Sequence, residues 1–113
     1  MEKKRTLEDY KVAGAWMRLL KSVFSETYMA CSKVMYAKET DKFRVAEDRI
    51  SALCSQAEDN MFDDFPTLSN EYLDIFYGHI GNDPIYSPRG DVDREQIELA
   101  SELVKELFGE NWK

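Results

Sequence analysis

Histidine is all but missing from this chain: His79 is the only one. No cysteine or histidine pair has zinc-ligand spacing, and no Glu-x-x-His motif occurs, so zinc and di-iron bundle chemistry lack a ligand set. Beside Tyr77 and Gly78, a lone His79 reads as a helix C-terminal residue near free carbonyls before it reads as a proton carrier. No proline occurs before Pro66, and the only glycine before it is Gly14, so nothing forces a break in the first half. Long apolar runs are absent, none approaching the roughly 20 residues of a membrane span. No signal-peptide h-region follows the charged residues 1–5, which predicts a protein of the cytosol, its own cell's or a host's. Alternating apolar and polar residues never run long enough for a sheet. Glycine-rich phosphate loops, a serine nucleophile motif and a cysteine–histidine pair are all missing. No catalytic residue, cofactor site or metal ligand is therefore assigned, and the chain reads as non-enzymatic.

What is present is helical periodicity in one domain, 1–113, with 43% hydrophobic and 33% charged residues. That is enough apolar material for a core and rules against disorder. From Thr6 to about Ala37, Tyr10, Ala13, Met17, Leu20, Phe24, Thr27, Cys31 and Val34 recur at steps of three and four, as one helical face does. Val12, Trp16, Leu19, Val23 and Ala30 widen that face, while Lys11, Arg18, Ser22, Ser25 and Ser32 are left as a stripe for water. Such a helix would be roughly 45 Å long, too long for one ordinary partner to cover. It should be the central spine of the bundle. Thr6 with Asp9 resembles a capping box at its start. Gly14 allows either close approach of another backbone or a plain solvent-facing position.

A polar connector, Lys38 to Asp41, should turn the chain into a second helix from about Lys42 to Phe62, antiparallel to the first. Its apolar row is Phe43, Ala46, Ile50, Leu53, Ala57 and Met61, and Phe65-Pro66 ends it. A third, short helix is expected from Asn70 to His79, capped by Thr67 or Ser69 and closed by Gly78 and Gly81. Residues 81–90 read as a loop stiffened by Pro84 and Pro88 and anchored by Ile85 and Tyr86, long enough to bind something. A fourth helix should run from Val92 to Phe108 behind an Asp91 or Asp93 cap, stopping at Gly109, with Trp112 folding back. The predicted fold class is all-α: a bundle of three long helices and one short helix, with helices 1 and 2 an antiparallel hairpin. Cys31 and Cys54 fall on apolar faces about a turn out of register in that hairpin, so they read as two packed, reduced thiols.

Net charge is −7, divided unevenly: residues 1–50 hold 11 Lys/Arg against 8 Asp/Glu, and residues 51–113 hold 4 against 14. An acidic second half disfavours direct nucleic-acid binding and suits a protein partner with a basic surface. Glu95, Glu98, Glu102 and Glu106 form one carboxylate row along the fourth helix, spaced on the scale of a phosphate backbone. The plainer reading is the wet face of an amphipathic helix. Asp59, Asp63 and Asp64 head the densest acidic cluster, whose plainer reading is a solvated helix end. Asp91, Asp93, Glu95 and Glu102 fit a calcium-loop template whose sixth position, a glycine, is Gln96 here. Arg89-Gly90-Asp91 spells an adhesion tripeptide but reads as a turn into an Asp cap.

Three functions follow, in order. The first is a small acidic binding module working through helix surfaces, with Ala13, Gly14, Trp16 and Val23 as candidate homodimer contacts. The second is an acidic inhibitor, such as a mobile-element or phage anti-defence protein, that imitates nucleic acid through Glu95, Glu98, Glu102 and Glu106; these four, with Asp59, Asp63 and Asp64, are the candidate partner-binding residues. The third is a metal-dependent enzyme built on Asp63, Asp64, Glu71, Asp74 and His79.

Overall fold

A computed structural model describes residues 5–81 and 87–109. Within them the chain is all-helical, with no strand: α1 is Leu7–Cys31, α2 is Ala37–Asp64, a 3₁₀ turn spans Asn70–Asp74, and α3 is Asp91–Phe108. α1 packs against both other helices and is the spine. The capping box at its start is formed. Asp9 N–H donates to Thr6 Oγ1 at 3.1 Å, and Thr6 N–H donates to Asp9 Oδ2 at 2.9 Å, which satisfies two of the amides that a helix start leaves open.

α1 ends at Cys31, not near Ala37, so the spine is shorter than its periodicity implies. The amides of Lys33 and Val34 reach back only three residues, to the carbonyls of Ala30 and Cys31, and this tightened turn closes the helix without glycine or proline. α2 then begins at Ala37, ahead of the expected Lys42. The Glu39 carboxylate accepts the Tyr36 N–H at 2.8 Å and anchors its first turn. The connector is therefore 32–36 rather than 38–41. The expected third helix shrinks to the 3₁₀ turn, which ends at Asp74 with Ile75 as its cap, so Gly78, at φ +140°, lies in the turns and bends beyond it instead of closing a helix. α3 stops at Gly109, φ +86°, as its sequence implies, but it starts at Asp91 behind Gly90, with no side-chain cap bond, so neither Asp91 nor Asp93 is its cap. Pro84, Ile85, Tyr86 and Trp112 lie outside the described residues.

The core lies at one end of the molecule. Tyr10, Cys54, Met61, Ile75, Phe76 and Val92 form one cluster, joined by Leu7, Met17, Phe65 and Tyr72. Ala15, Leu19, Ala100 and Leu103 form a second between α1 and α3. Gly14 is buried between them. A Cβ placed there would sit 2.6 Å from the Ile75 carbonyl oxygen, so its role is close backbone approach, and the backbone it meets belongs to its own chain. Gly14 is thus removed from the set of outward dimer contacts.

The other end is different. Between Leu20 and Leu53 the only buried residue is Thr40. There the α1–α2 hairpin is held by edge-on rings, Phe24 and Tyr28 each against Phe43 with centroids 5.6 and 5.5 Å apart. It extends from the packed base as a two-helix arm, in a molecule measuring 47 × 33 × 29 Å. Cys31 and Cys54 are both free thiols, Cys54 fully buried.

Candidate functional site

The side chain that locks the base together is Arg18. Placed in the water-facing stripe by periodicity, it is instead among the most buried side chains of the protein, at 1% exposure. Its Nε donates to the Ile75 carbonyl at 3.2 Å, Nη1 to the His79 carbonyl at 2.9 Å, and Nη2 to the Asp74 carbonyl and to Asp93 Oδ1, the last at 2.7 Å. A guanidinium carries five N–H donors in a rigid fork, and a bend such as 74–79 exposes carbonyls that no helix satisfies. The two needs match. Asp93 also accepts the Arg89 backbone N–H through Oδ2 at 2.9 Å, and Arg89 Nη1 lies 3.0 Å from Asp74 Oδ1. Two arginines and two aspartates thus balance in charge where α1, the 70–79 segment and the start of α3 meet. Gln96 completes the clamp by donating to the carbonyls of Lys11 and Ile75.

This clamp uses the groups that a calcium loop would need. Asp93 pairs with Arg18, and the helix begins at Asp91, so Asp93, Glu95 and Glu102 lie on helix rather than loop. The carboxylates of the metal-enzyme reading are also engaged separately: Asp64 by Arg5 and Tyr10, Asp74 by Arg89. Among the described residues, no group of three or more His, Cys, Asp or Glu is placed to share a metal ion. Asp64 is held below the usual carboxylate range by its bonds from Arg5 and then Tyr10. Burial, followed by the bond to Asp64, pushes the Tyr10 hydroxyl up to about 12. Asp59 and Asp63 are exposed beside it.

Glu95, Glu98, Glu102 and Glu106 all lie on the solvent side of α3. Glu95 pairs with Lys11 at 3.3 Å.

With Arg18 turned inward, the outward face of α1 is apolar. Trp16, Leu20 and Val23 are 42, 44 and 44% exposed. Ala13, Thr27 and Ala30 are exposed on the same side. These six follow one another at alternating steps of three and four, the repeat of a coiled-coil seam. At about 100° per residue, the centre of that seam points nearly half a turn away from Arg18 and roughly 140° from the middle of the face that buries Gly14, Ala15, Arg18 and Leu19. Exposed Met29, Val34, Met35 and Tyr36 carry apolar surface on to the tip of the arm. Beside the seam, an open groove of about 720 Å³ between α1 and the end of α3 is lined by Ser22, Val23, Glu26, Ile80 and Phe108 among others.

The structure therefore sets Ala13, Trp16 and Val23 together on one outward face and withdraws Gly14. Leu20, Thr27 and Ala30, which belong to that face, were readable in the alternating spacing, but a broad apolar sector hid the narrower seam. The Arg18–Asp93 pair had no local signal, because its partners are 75 residues apart. Among the described residues no helix is long and apolar enough to cross a membrane. Comparison with protein-family models, curated proteins and solved structures finds no match.

Proposed function

We propose that this protein is a non-enzymatic protein-binding module that works through the outward face of α1 and self-associates there as a homodimer. The observation that carries this reading is the Ala13–Ala30 seam, apolar at coiled-coil spacing and directed away from the protein's own core. A large exposed apolar strip on a small chain is unfavourable in water and marks an interaction surface. The coreless arm supports the same reading, since its helices gain little from each other and would gain most from a further helix. The setting that goes with it is the cytosol, where thiols such as Cys31 and Cys54 stay reduced. Sedimentation equilibrium is the test. A dimer is expected at micromolar concentration, and Leu20→Lys with Val23→Lys should yield a folded monomer. A wild-type chain that stays monomeric at millimolar concentration would remove the dimer.

A second reading has its own observation: the exposed carboxylates of Glu98, Glu102 and Glu106 on α3. As a nucleic-acid mimic, this row, with Glu95 and the Asp59, Asp63 and Asp64 end of α2, would enter a basic channel of a nuclease or DNA-binding protein. Glu98→Lys with Glu102→Lys should then abolish inhibition of that target. Inhibition unaffected by the reversal would reject the mimic.

A further inference from the structure

The geometry points to a specific partner and alignment for the α1 seam: a second copy of this chain, its α1 antiparallel, with the two-fold axis crossing between Lys21 and Ser22. The inference rests on the self-association proposed above and adds orientation and register to it.

Turned end for end, the seam is complementary to itself in size. Reversed about the midpoint of residues 21 and 22, Ala13 meets Ala30, Trp16 meets Thr27, and Leu20 meets Val23 of the other copy. Small side chains face each other at the two outer levels, the largest faces a short one, and two mid-sized aliphatics fill the centre. A parallel pair would instead set Trp16 directly against a second Trp16, the two largest side chains of the seam at one level. Interfaces of two-fold symmetry require this self-complementarity.

Packing favours the same direction. The first half of α1 is built into the core, while its second half belongs to the arm, where only Thr40 is buried between residues 20 and 53. Antiparallel pairing lays each arm along the packed base of the other copy. Parallel pairing would put the two poorly packed arms together and leave both unsupported.

Charge agrees. The base end of α1 carries Glu8 and Asp9 in its first turn, close to Asp63 and to the Arg5-paired Asp64 at the end of α2, whereas residues 31–44 at the tip carry Lys33, Lys38, Lys42 and Arg44 against Glu39 and Asp41, Arg44 being paired with Asp41 and Asp48. Antiparallel copies bring basic tip to acidic base, and the opposed helix dipoles add a small gain. Parallel copies would set acidic end against acidic end.

Cysteine cross-linking of the full chain in a Cys31→Ser background decides the alignment, Cys54 being buried. Ala13→Cys and Ala30→Cys are exposed positions that the fold tolerates. Refolded together and oxidised, the two variants should give a disulfide-linked mixed dimer as the main product. Each variant alone should stay unlinked, because like positions would be roughly 25 Å apart along the axis, far outside disulfide reach. Self-linking of either variant alone means parallel pairing and overturns the inference. A dimer by sedimentation with no linkage in any combination means another face or register, and also overturns it. A monomer by sedimentation removes the self-association itself. Circular dichroism of each variant confirms that the fold is intact before the result is read.

Discussion

Arg18 Nη2 lies 2.7 Å from Asp93 Oδ1, with both side chains wholly shielded from solvent. Together with the bond from Gln96 to the Lys11 carbonyl, this contact joins the spine to the start of α3. It is embedded in carbonyl acceptors from 74–79, so that each of the three guanidinium nitrogens has a partner. A buried ion pair stabilises only when its remaining hydrogen-bonding capacity is met, and here it is.

Removing one partner should therefore be severe. Asp93→Ala leaves the Arg18 charge without its buried counter-ion and is expected to cost about 3–5 kcal/mol, read from urea unfolding midpoints. Arg18→Met combined with Asp93→Leu should not restore stability, because the carbonyls of Asp74, Ile75 and His79 lose a donor that no apolar side chain replaces. Near-wild-type stability of Asp93→Ala would show that the pair contributes little.

Gly14→Ala tests the close approach beside it. Helix propensity alone would make alanine better by about 1 kcal/mol. The added Cβ would lie 2.6 Å from the Ile75 carbonyl oxygen and 2.9 Å from its carbon, so backbone must move. A net loss of about 1–3 kcal/mol is expected. A raised urea midpoint would contradict the contact.

Tyr10 and Asp64 give the fold opposite dependences at the two ends of the pH scale. The Tyr10 hydroxyl, raised to about 12 from 10.0 by burial and then by the Asp64 bond, contributes stability that is full below pH 10 and lost as pH rises from 10 through 12. Asp64, lowered from 3.8 by Arg5 and Tyr10, contributes stability that is present above that value and lost as pH falls through its lower folded value. In a spectrophotometric titration, the difference between the wild type and Tyr10→Phe should show a phenol ionising near pH 12. Ionisation near 10 would mean that the hydroxyl is not held.

The seam predicts a thermodynamic signature as well as a mass. If folded dimer and unfolded monomer are linked, Tm should rise with protein concentration. The dependence should vanish in Leu20→Lys with Val23→Lys, whose positions are over 40% exposed within one chain, while Tm at the lowest concentration changes little. A scanning calorimetry series over two decades of concentration reads both effects.

Much of the architecture was legible in the residues themselves. Thr6 and Asp9 marked the start of α1 and Gly109 the end of α3, each because a local backbone need has few chemical solutions. The end of α1 was not legible. Cys31 to Tyr36 contains no residue that forbids helix, and the break depends on a turn that closes on its own carbonyls and on Glu39 capping the next start. Of the candidate contacts, Ala13, Trp16 and Val23 were readable from spacing and stay on one face. Gly14 was not separable from them, since Ile75, which covers it, lies far along the chain.

By itself the sequence determined an all-helical chain, a long first helix with more apolar face than one neighbour can cover, and an acidic second half. Periodicity and charge are local or additive properties, and they survive any arrangement of the pieces. Only the tertiary structure decided which side of α1 became the interior. A row with Arg18 in it looks solvent-facing until Asp93 and the bare carbonyls of 74–79 are brought against it. Once that charge is neutralised inside, Trp16, Leu20 and Val23 are turned toward water by the rotation of the same helix.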